Sequence, residues 1–519
     1  MQTSKFRPIF VLNLVNKNFI RPVTATASAE KVEINESTQP LKSWKEIPGP
    51  SSLPIIGFMH HFFPGGILAG LNGLELASKL NNDYGPIVKL GATIGMEPII
   101  FLFDAESSSQ VLRGENSLPL RPGFRTLEYY RKNLKKDVKK GKPTGLITDH
   151  GAEWKELRYT VNPVLLQPKT IKLYTKVIDE VAMDMIKRMK SQRDEKNMLK
   201  GKFDQEMNLW SLESIGVVAL GCRLGCLDPN LPADSPARNL IECIHELFIL
   251  ADKLDFKPSV WKLISTPNFK RAMALYAQQE KISKHFISQA MKELKTKSKS
   301  DDEKGILEKL LDINEDFAHV MASDMLFAGV DTASNTVAAT LYLLAMNPEK
   351  QIKLRNELRS NAEKKPYLRA CLKESLRMMP IVSGNMRVTT KEYNLLGYKI
   401  PPNMQVAFVH QNMSLMEENF PRSKEYLPER WLVEKDDPLH YRRSHPFAYN
   451  PFGFGVRSCI GRRIAELEME TFTARLVENF QIEWFGPPPK ARDEHGVLVM
   501  HVVIRGAVDQ EVTLRTVRL

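Results

Sequence analysis

The segment Phe452-Gly-Phe-Gly455-Val-Arg457-Ser-Cys459-Ile-Gly461-Arg462-Arg463 constrains this chain more than any other stretch. A lone thiol in a large chain is usually a small buried hydrophobe. Here glycines flank it, an arginine stands two positions before it, and an apolar pattern at helical spacing follows Gly461. Gly455 and Gly461 allow close backbone approach and unusual dihedrals. Cys459 is therefore presented near a helix N-terminus, where the dipole and free N–H groups stabilise a thiolate. A thiolate held this way is a good axial ligand for haem iron, since it pushes electron density onto the metal and favours O–O cleavage.

The rest of the chain has the length for three average domains or one large one, and an ordinary globular composition. Its net charge of +12 fits a solvated basic face, an acidic partner or an anionic membrane surface. Nucleic acid is not expected, because no basic run is interleaved with aromatics in a nucleic-acid motif. The five cysteines (Cys222, Cys226, Cys243, Cys371, Cys459) are few and odd in number, which argues for a reducing compartment. Cys222 and Cys226, at i, i+4 in an apolar helical stretch with no zinc-spaced partner, read as core.

Residues 1–29 carry Lys5, Arg7, Lys17 and Arg21 and no acid before Glu30. Basic, acid-poor and hydroxyl-rich describes a mitochondrial transit peptide. The apolar run Ile9 to Leu12 is far short of the roughly 20 residues a membrane anchor needs. A lead-in over 30–57 follows, dense in Pro and Gly from Glu46 to Gly57, and residues 58–519 show no further break of linker composition. Short strands joined by a glycine turn are expected over 85–104, helices from about 105 to 380, short strands again over 381–410, and a last strand pair after Gly496. The basic run over 131–142 reads as a solvated loop or a membrane-contacting surface.

Three further groups stand out. Ala328-Gly-Val-Asp331-Thr332-Ala-Ser334 interrupts a long apolar helix running from about Asp316 to Met346. Gly, Asp and Thr cost stability there; the stretch is either a partly buried helix with back-bonded hydroxyls, or one that a Thr hydroxyl bends locally so that an acid–alcohol pair can move protons. Glu374 and Arg377 share a helix face at i, i+3, and Trp154 and Arg158 share one at i, i+4.

The Cys459 segment resembles the haem-binding loop of the cytochrome P-450 family, the haem-thiolate monooxygenases, whose pattern is Phe-x-x-Gly-x-Arg-x-Cys-x-Gly. Phe452, Gly455, Arg457, Cys459 and Gly461 meet every fixed position. The resemblance covers roughly residues 44–519 and implies a mixed, mainly α fold in one large domain. In that fold, a helix-rich triangular prism with small β-sheets, haem b lies between a long oxygen-activation helix and the helix after the Cys loop. It implies that Cys459 ligates the iron and that Asp331 and Thr332 relay protons during dioxygen activation. It implies that Trp154, Arg158, Arg387 and Arg457 hold the haem propionates, a task that suits the planar, bidentate guanidinium. Glu374, Arg377 and Arg430 (in Pro428-Glu-Arg-Trp431) would form a buried structural triad.

The helix starts Leu368-Arg369-Ala-Cys-Leu-Lys373-Glu374 and Arg462-Arg463-Ile-Ala-Glu466 are most similar to the mitochondrial branch, and the wording elsewhere to its arthropod members. The resemblance then implies that Arg369, Lys373, Arg462 and Arg463 dock an acidic [2Fe–2S] ferredoxin, which relays electrons from NADPH through a ferredoxin reductase. It implies a monomer on the matrix side of the inner membrane, attached peripherally through the Pro-bounded connector 256–269. The substrate is expected to be a lipophilic small molecule, with clearance of foreign compounds such as insecticides favoured over ecdysteroid hydroxylation. Its pocket is expected around 119–130, 245–275, 321–332, 381–386 and 496–501. A same-fold peroxide isomerase and a non-catalytic haem sensor are the rival readings, and the Asp331–Thr332 pair argues against both. One departure is the short segment 359–366, where relatives usually carry a further helix and loop.

Overall fold

Residues 315–346 are apolar on almost every face, and a helix of that kind has to be buried. In this computed structural model they form one unbroken central helix. The structure describes residues 40–135, 142–192, 203–294, 300–360, 363–484, 502–506 and 511–514. The expected transit peptide and the pocket segment 496–501 lie outside them. The chain divides into two units, 1–40 and 41–519, and every element below belongs to the second.

Fifteen α-helices are formed among the described residues: α1 (Gly73–Tyr84), α2 (Ala105–Arg113), α3 (Arg125–Tyr129), α4 (Gly151–Leu165), α5 (Pro168–Lys172), α6 (Thr175–Ser191), α7 (Phe203–Leu220), α8 (Pro236–Leu254), α9 (Pro267–Leu294), α10 (Ile306–Ile313), α11 (Glu315–Met346), α12 (Pro348–Arg359), α13 (Pro366–Met378), α14 (His410–Ser414) and α15 (Arg462–Asn479). The strands are β1 (Lys42–Ser43), β2 (Ile87–Leu90), β3 (Ile99–Leu102), β4 (Asn385–Val388), β5 (Tyr393–Leu395), β6 (Tyr398–Ile400), β7 (Gln405–Phe408), β8 (Phe480–Trp484), β9 (Val502–Gly506) and β10 (Glu511–Leu514). They make a four-stranded sheet in the order β2-β3-β7-β4 and two three-stranded sheets, β1-β6-β5 and β10-β9-β8.

The start of α11 is fixed by Asn314, whose side chain accepts from Phe317 N at 3.0 Å, and its end by Asn347-Pro348. The helix packs on α7, α10, α13 and α15. Gly329 makes room for α7, since an added Cβ there would come within 2.6 Å of Ile215. The main core gathers around these helices, and two smaller ones lie against the four-stranded sheet.

Two expectations need correction. Cys222 and Cys226 are not on a helix, because α7 ends at Leu220 and a turn follows; Cys226 is buried but Cys222 is only partly so. The basic run is not a plain solvated loop over its described part. Arg131 is buried and paired with Asp324 of α11 at 2.6 Å, and Lys132 and Lys135 pair with Glu128 and Glu280. The short connector between α12 and α13 is closed from both sides. Lys365 Nζ donates to the carbonyls of Glu357 and Ser360, while the Glu357 carboxylate accepts Tyr367 N and Leu368 N at the head of α13.

Candidate active site

Cys459 lies three residues before α15, in a loop tied by its own N–H to Phe452 O at 2.8 Å. Gly453 and Gly455 adopt φ of 73° and 72°, where a side chain would be strained. Gly461 has an ordinary φ of −81°, so its part is proximity, and its backbone N–H faces the Cys459 sulfur. Protein atoms surround Cys459 on nearly all sides, yet the residue is solvent-accessible; its sulfur therefore lines a deep cavity. Burial pushes the thiol up, while Gly461 N–H, Arg158, Arg121 and Arg462 pull it toward thiolate.

Four guanidinium groups converge beside this cavity. Arg158 donates to Ser458 O at 2.8 Å, which joins α4 to the Cys loop. Arg457 lies with its guanidinium 3.7 Å from the centre of the buried Trp154 ring, a cation–π contact. Its Nε, Nη1 and Nη2 donate to Pro119 O, Leu146 O and Asp149 O at 3.1, 3.4 and 3.1 Å, so it clamps two loop segments together. Arg387, on β4, is 2.5 Å from Glu115 Oε1 and donates to Phe454 O at 3.3 Å. The Glu115 contact lacks hydrogen-bond alignment, and both atoms count as unpartnered. Arg121, which the motifs did not single out, is the fourth.

Burial holds these arginines below their ordinary values, with repulsion from neighbouring arginines adding to it at Arg121, Arg158 and Arg457; Arg457 falls to about 9 and Arg158 to about 10, both charged at neutral pH. Glu115 and Asp149 answer part of the charge. Buried Nε atoms of Arg158 and Arg387 remain without a hydrogen-bond partner. A surplus of buried cations with unsatisfied donors, one face of it within electrostatic reach of Cys459, is what a ligand bearing two carboxylates beside a metal requires. Haem meets that description, and the residues fit it.

The second motif lies on α11. Ala328 is exposed in mid-helix beside buried Phe327. Thr332 Oγ1 donates back to Ala328 O at 2.8 Å, as its position in the motif suggested. Asp331 is buried, its Oδ1 has no partner, and burial together with the charge of Asp204 pushes it up to about 7. Over Phe327 of this helix sit Phe124, edge-on at 6.0 Å, and Phe248, stacked at 5.1 Å, and Phe256 closes on Phe124 at 5.6 Å. These four come from three of the expected pocket segments. Ile381 and Ser383, from a fourth, line a separate cavity of about 730 Å³ beside the C-terminal half of α11 and the end of α13.

Glu374, Arg377 and Arg430 meet with no exposure at all. Glu374 Oε1 accepts Arg377 Nη2 at 2.7 Å and Arg430 Nε at 2.9 Å; Oε2 accepts Arg377 Nε at 3.0 Å. Trp431 Nε1 adds a fourth member at 2.9 Å. The remaining donors of the arginines go to the carbonyls of Ser414, Ser423, Pro421 and Arg422. On the face behind the cysteine, Arg369, Lys373, Arg462 and Arg463 are all exposed on the adjoining helices α13 and α15. Arg462 stacks on Phe452 of the loop, which ties the patch to the cavity. Two of its cations are already paired, Arg369 with Glu470 at 3.0 Å and Arg462 with Glu466 at 2.9 Å.

A recessed cysteine at the head of α15 beside four buried guanidiniums, together with a threonine back-bonded within the central helix, is the arrangement of a haem-thiolate protein. The sequence profile of the family described as cytochrome P450 matches residues 47–503. Cytochrome P450 CYP12A2 of Musca domestica is 36% identical over 488 residues, covering 88% of this chain and 90% of that one. The probable mitochondrial cytochrome P450 12a5 of Drosophila melanogaster is 35% identical, over 89% and 92%. Among solved structures, a cytochrome P450DA haem domain aligns with a TM-score of 0.70 at 18% identity, over 90% of this chain and 98% of that one. Retinoic acid bound cyanobacterial CYP120A1 aligns at 0.66 and 19%, over 90% and 100%. The chain belongs to the cytochrome P450 family and is a haem monooxygenase, an oxidoreductase.

Proposed function

We propose that this chain is a mitochondrial, ferredoxin-dependent monooxygenase that hydroxylates a lipophilic foreign compound. Haem bound at Cys459 supplies dioxygen activation. Cys459 is its thiolate ligand, held by Gly461 N–H and the nearby arginines. Arg121, Arg158 and Arg387 take the propionates, Arg158 with its unpartnered Nε, and Trp154 with Arg457 fixes the wall behind them. Asp331 holds a proton near neutral pH, and the Thr332 hydroxyl passes it toward the cavity. The observation that carries the reading is the accessible yet enclosed Cys459 beneath four converging guanidiniums.

The phenylalanine cluster at Phe124, Phe248, Phe256 and Phe327 supports the substrate class. Its faces are apolar, and a polyhydroxylated steroid laid against them would leave hydroxyls unpaired. The mitochondrial names of relatives and the basic face on α13 and α15 support the ferredoxin route. Peripheral membrane contact is supported by the connector, where Leu263 is 77% and Ile264 66% exposed, and no helix among the described residues is long and apolar enough to cross a membrane. Reconstitution with ferredoxin, ferredoxin reductase and NADPH tests the whole. Turnover of apolar aromatic compounds above ecdysteroids, lost on omitting ferredoxin, is expected. Equal turnover without ferredoxin, or a preference for the ecdysteroid, contradicts it.

A further inference from the structure

Phe124 stands in the left-handed region at φ 48°, immediately before α3, and its side chain does not cap that helix. A phenylalanine in that conformation is strained, and it persists only where its surroundings hold it. Here the hold comes from another segment. Asp255, at the end of α8, accepts Thr126 N at 3.0 Å on Oδ1 and Thr126 Oγ1 at 2.7 Å on Oδ2. Thr126 N is one of the donors that the first turn of α3 leaves unmet, so Asp255 caps α3 from across the fold.

Burial pushes Asp255 up to about 6, with Arg125 and Lys262 favouring the charged form, so it is a carboxylate at neutral pH. A carboxylate only accepts. The Thr126 hydroxyl therefore donates to Asp255, and Tyr276 Oη of α9 donates to Thr126 Oγ1 at 3.1 Å. One buried threonine thus joins α3 to α8 and α9. The other end of α3 is held by rings, Tyr129 lying edge-on to Trp261 and Phe269 at 5.8 and 5.5 Å.

The neighbours of this junction carry the aromatic wall. Phe256 follows Asp255, Phe124 comes two positions before Thr126, and their rings meet edge-on at 5.6 Å. Phe124 in turn meets Phe248 and Phe327, each at 6.0 Å. The row runs from exposed Phe256 to buried Phe327, with Phe124 in the middle.

We propose that Asp255 is a positioning residue for substrate: by capping α3 at Thr126 it keeps Phe124 against Phe248 and Phe327, and so sets the size of apolar compound the pocket accepts. This rests on the phenylalanine cluster being the substrate wall proposed above. Without the cap, Phe124 relaxes out of the left-handed region and its ring leaves Phe248 and Phe327. The wall recedes, small compounds lose contact and large ones gain room.

The test uses the full-length holoenzyme and its Asp255→Ala, Asp255→Asn, Thr126→Val and Phe124→Ala variants. Naphthalene, phenanthrene and pyrene, apolar compounds of rising size, are titrated against the haem Soret band. In Asp255→Ala the ratio of pyrene to naphthalene affinity rises several-fold. Thr126→Val moves it the same way by less, since the backbone N–H bond remains. Asp255→Asn restores the native ratio, because an amide can accept Thr126 N and donate to Thr126 Oγ1. A native ratio in haem-loaded Asp255→Ala overturns the role of Asp255 while Phe124→Ala still raises the ratio; should Asp255→Ala not fold, a native ratio in Thr126→Val does the same. A rise in Asp255→Asn equal to that in Asp255→Ala assigns the effect to charge and overturns the cap. An unchanged ratio in Phe124→Ala overturns the wall itself, and the proposal with it.

Discussion

Glu468 shows how much one buried group sets the pH response. It sits on α15 with no exposure to speak of, its Oε1 has no partner, and burial pushes it up to about 8 from 4.5. The folded chain therefore holds a proton that the unfolded chain has released. The stability this brings is complete below about pH 4.5 and is lost as pH rises through about 8. Glu468→Gln, neutral throughout, is expected to gain on the native protein by on the order of 2–4 kcal/mol between about pH 5 and pH 9, read from denaturant midpoints. An equal difference at both pH values would show Glu468 ionised in the fold. Residues of this kind were not legible in the sequence. Cys459, Arg457 and Thr332 announce themselves by local spacing. Arg121, Asp204 and Glu468 owe their environments to contacts between distant segments, and no local pattern marks them.

At the scale of elements, the join of α13 to the irregular stretch 414–431 decides whether the Cys loop has a firm base. Glu374 collects two buried arginines, the half-buried Trp431 Nε1 and Leu427 N. Removing its charge strands two guanidiniums. Glu374→Gln is expected to cost about 3–5 kcal/mol and to lower the yield of folded, haem-loaded protein. Glu429→Gln, at the partly exposed neighbour held by Lys350, Lys353 and Tyr367 Oη, should cost clearly less, about 1 kcal/mol. Equal losses in both would show that burial does not govern the triad. The long helix α11 was readable within a residue at its start, since its caps and its apolar run agree. The turn at Cys222 was not, because apolar residues at helical spacing continue past the glycine that ends α7.

At the scale of the whole molecule, several exposed apolar residues gather on adjoining loops. The connector 256–266, the turn at Gly95 and the lead-in at Leu53–Gly57 touch one another, with Ser259 O against Gly95 and Thr93 Oγ1 donating to Ile56 O. Exposed Ile55, Leu263 and Ile264 belong to these segments. The basic face on α13 and α15 is the proposed docking surface, and its inner acids Glu466 and Glu470 temper it. Lys373 and Arg463 are then the cations most open to a partner. Reversing Arg463 to Glu is expected to weaken ferredoxin binding about tenfold at low salt, and less at high salt, with carbon monoxide binding unchanged. A salt-independent affinity equal to that of the native protein would place the docking surface elsewhere. The net charge of +12 hinted at such a partner, but where the charge gathers could be known only from the packing of α13 on α15.

Absorbance of the reduced, carbon monoxide-bound protein and of Cys459→His tests the central claim most directly. The native chain is expected to show the strongly red-shifted Soret band of thiolate-ligated haem, and the variant, if it binds haem, the band of imidazole ligation. The same red-shifted band in Cys459→His, or none in the haem-loaded native protein, would contradict Cys459 as the ligand at the floor of this cavity.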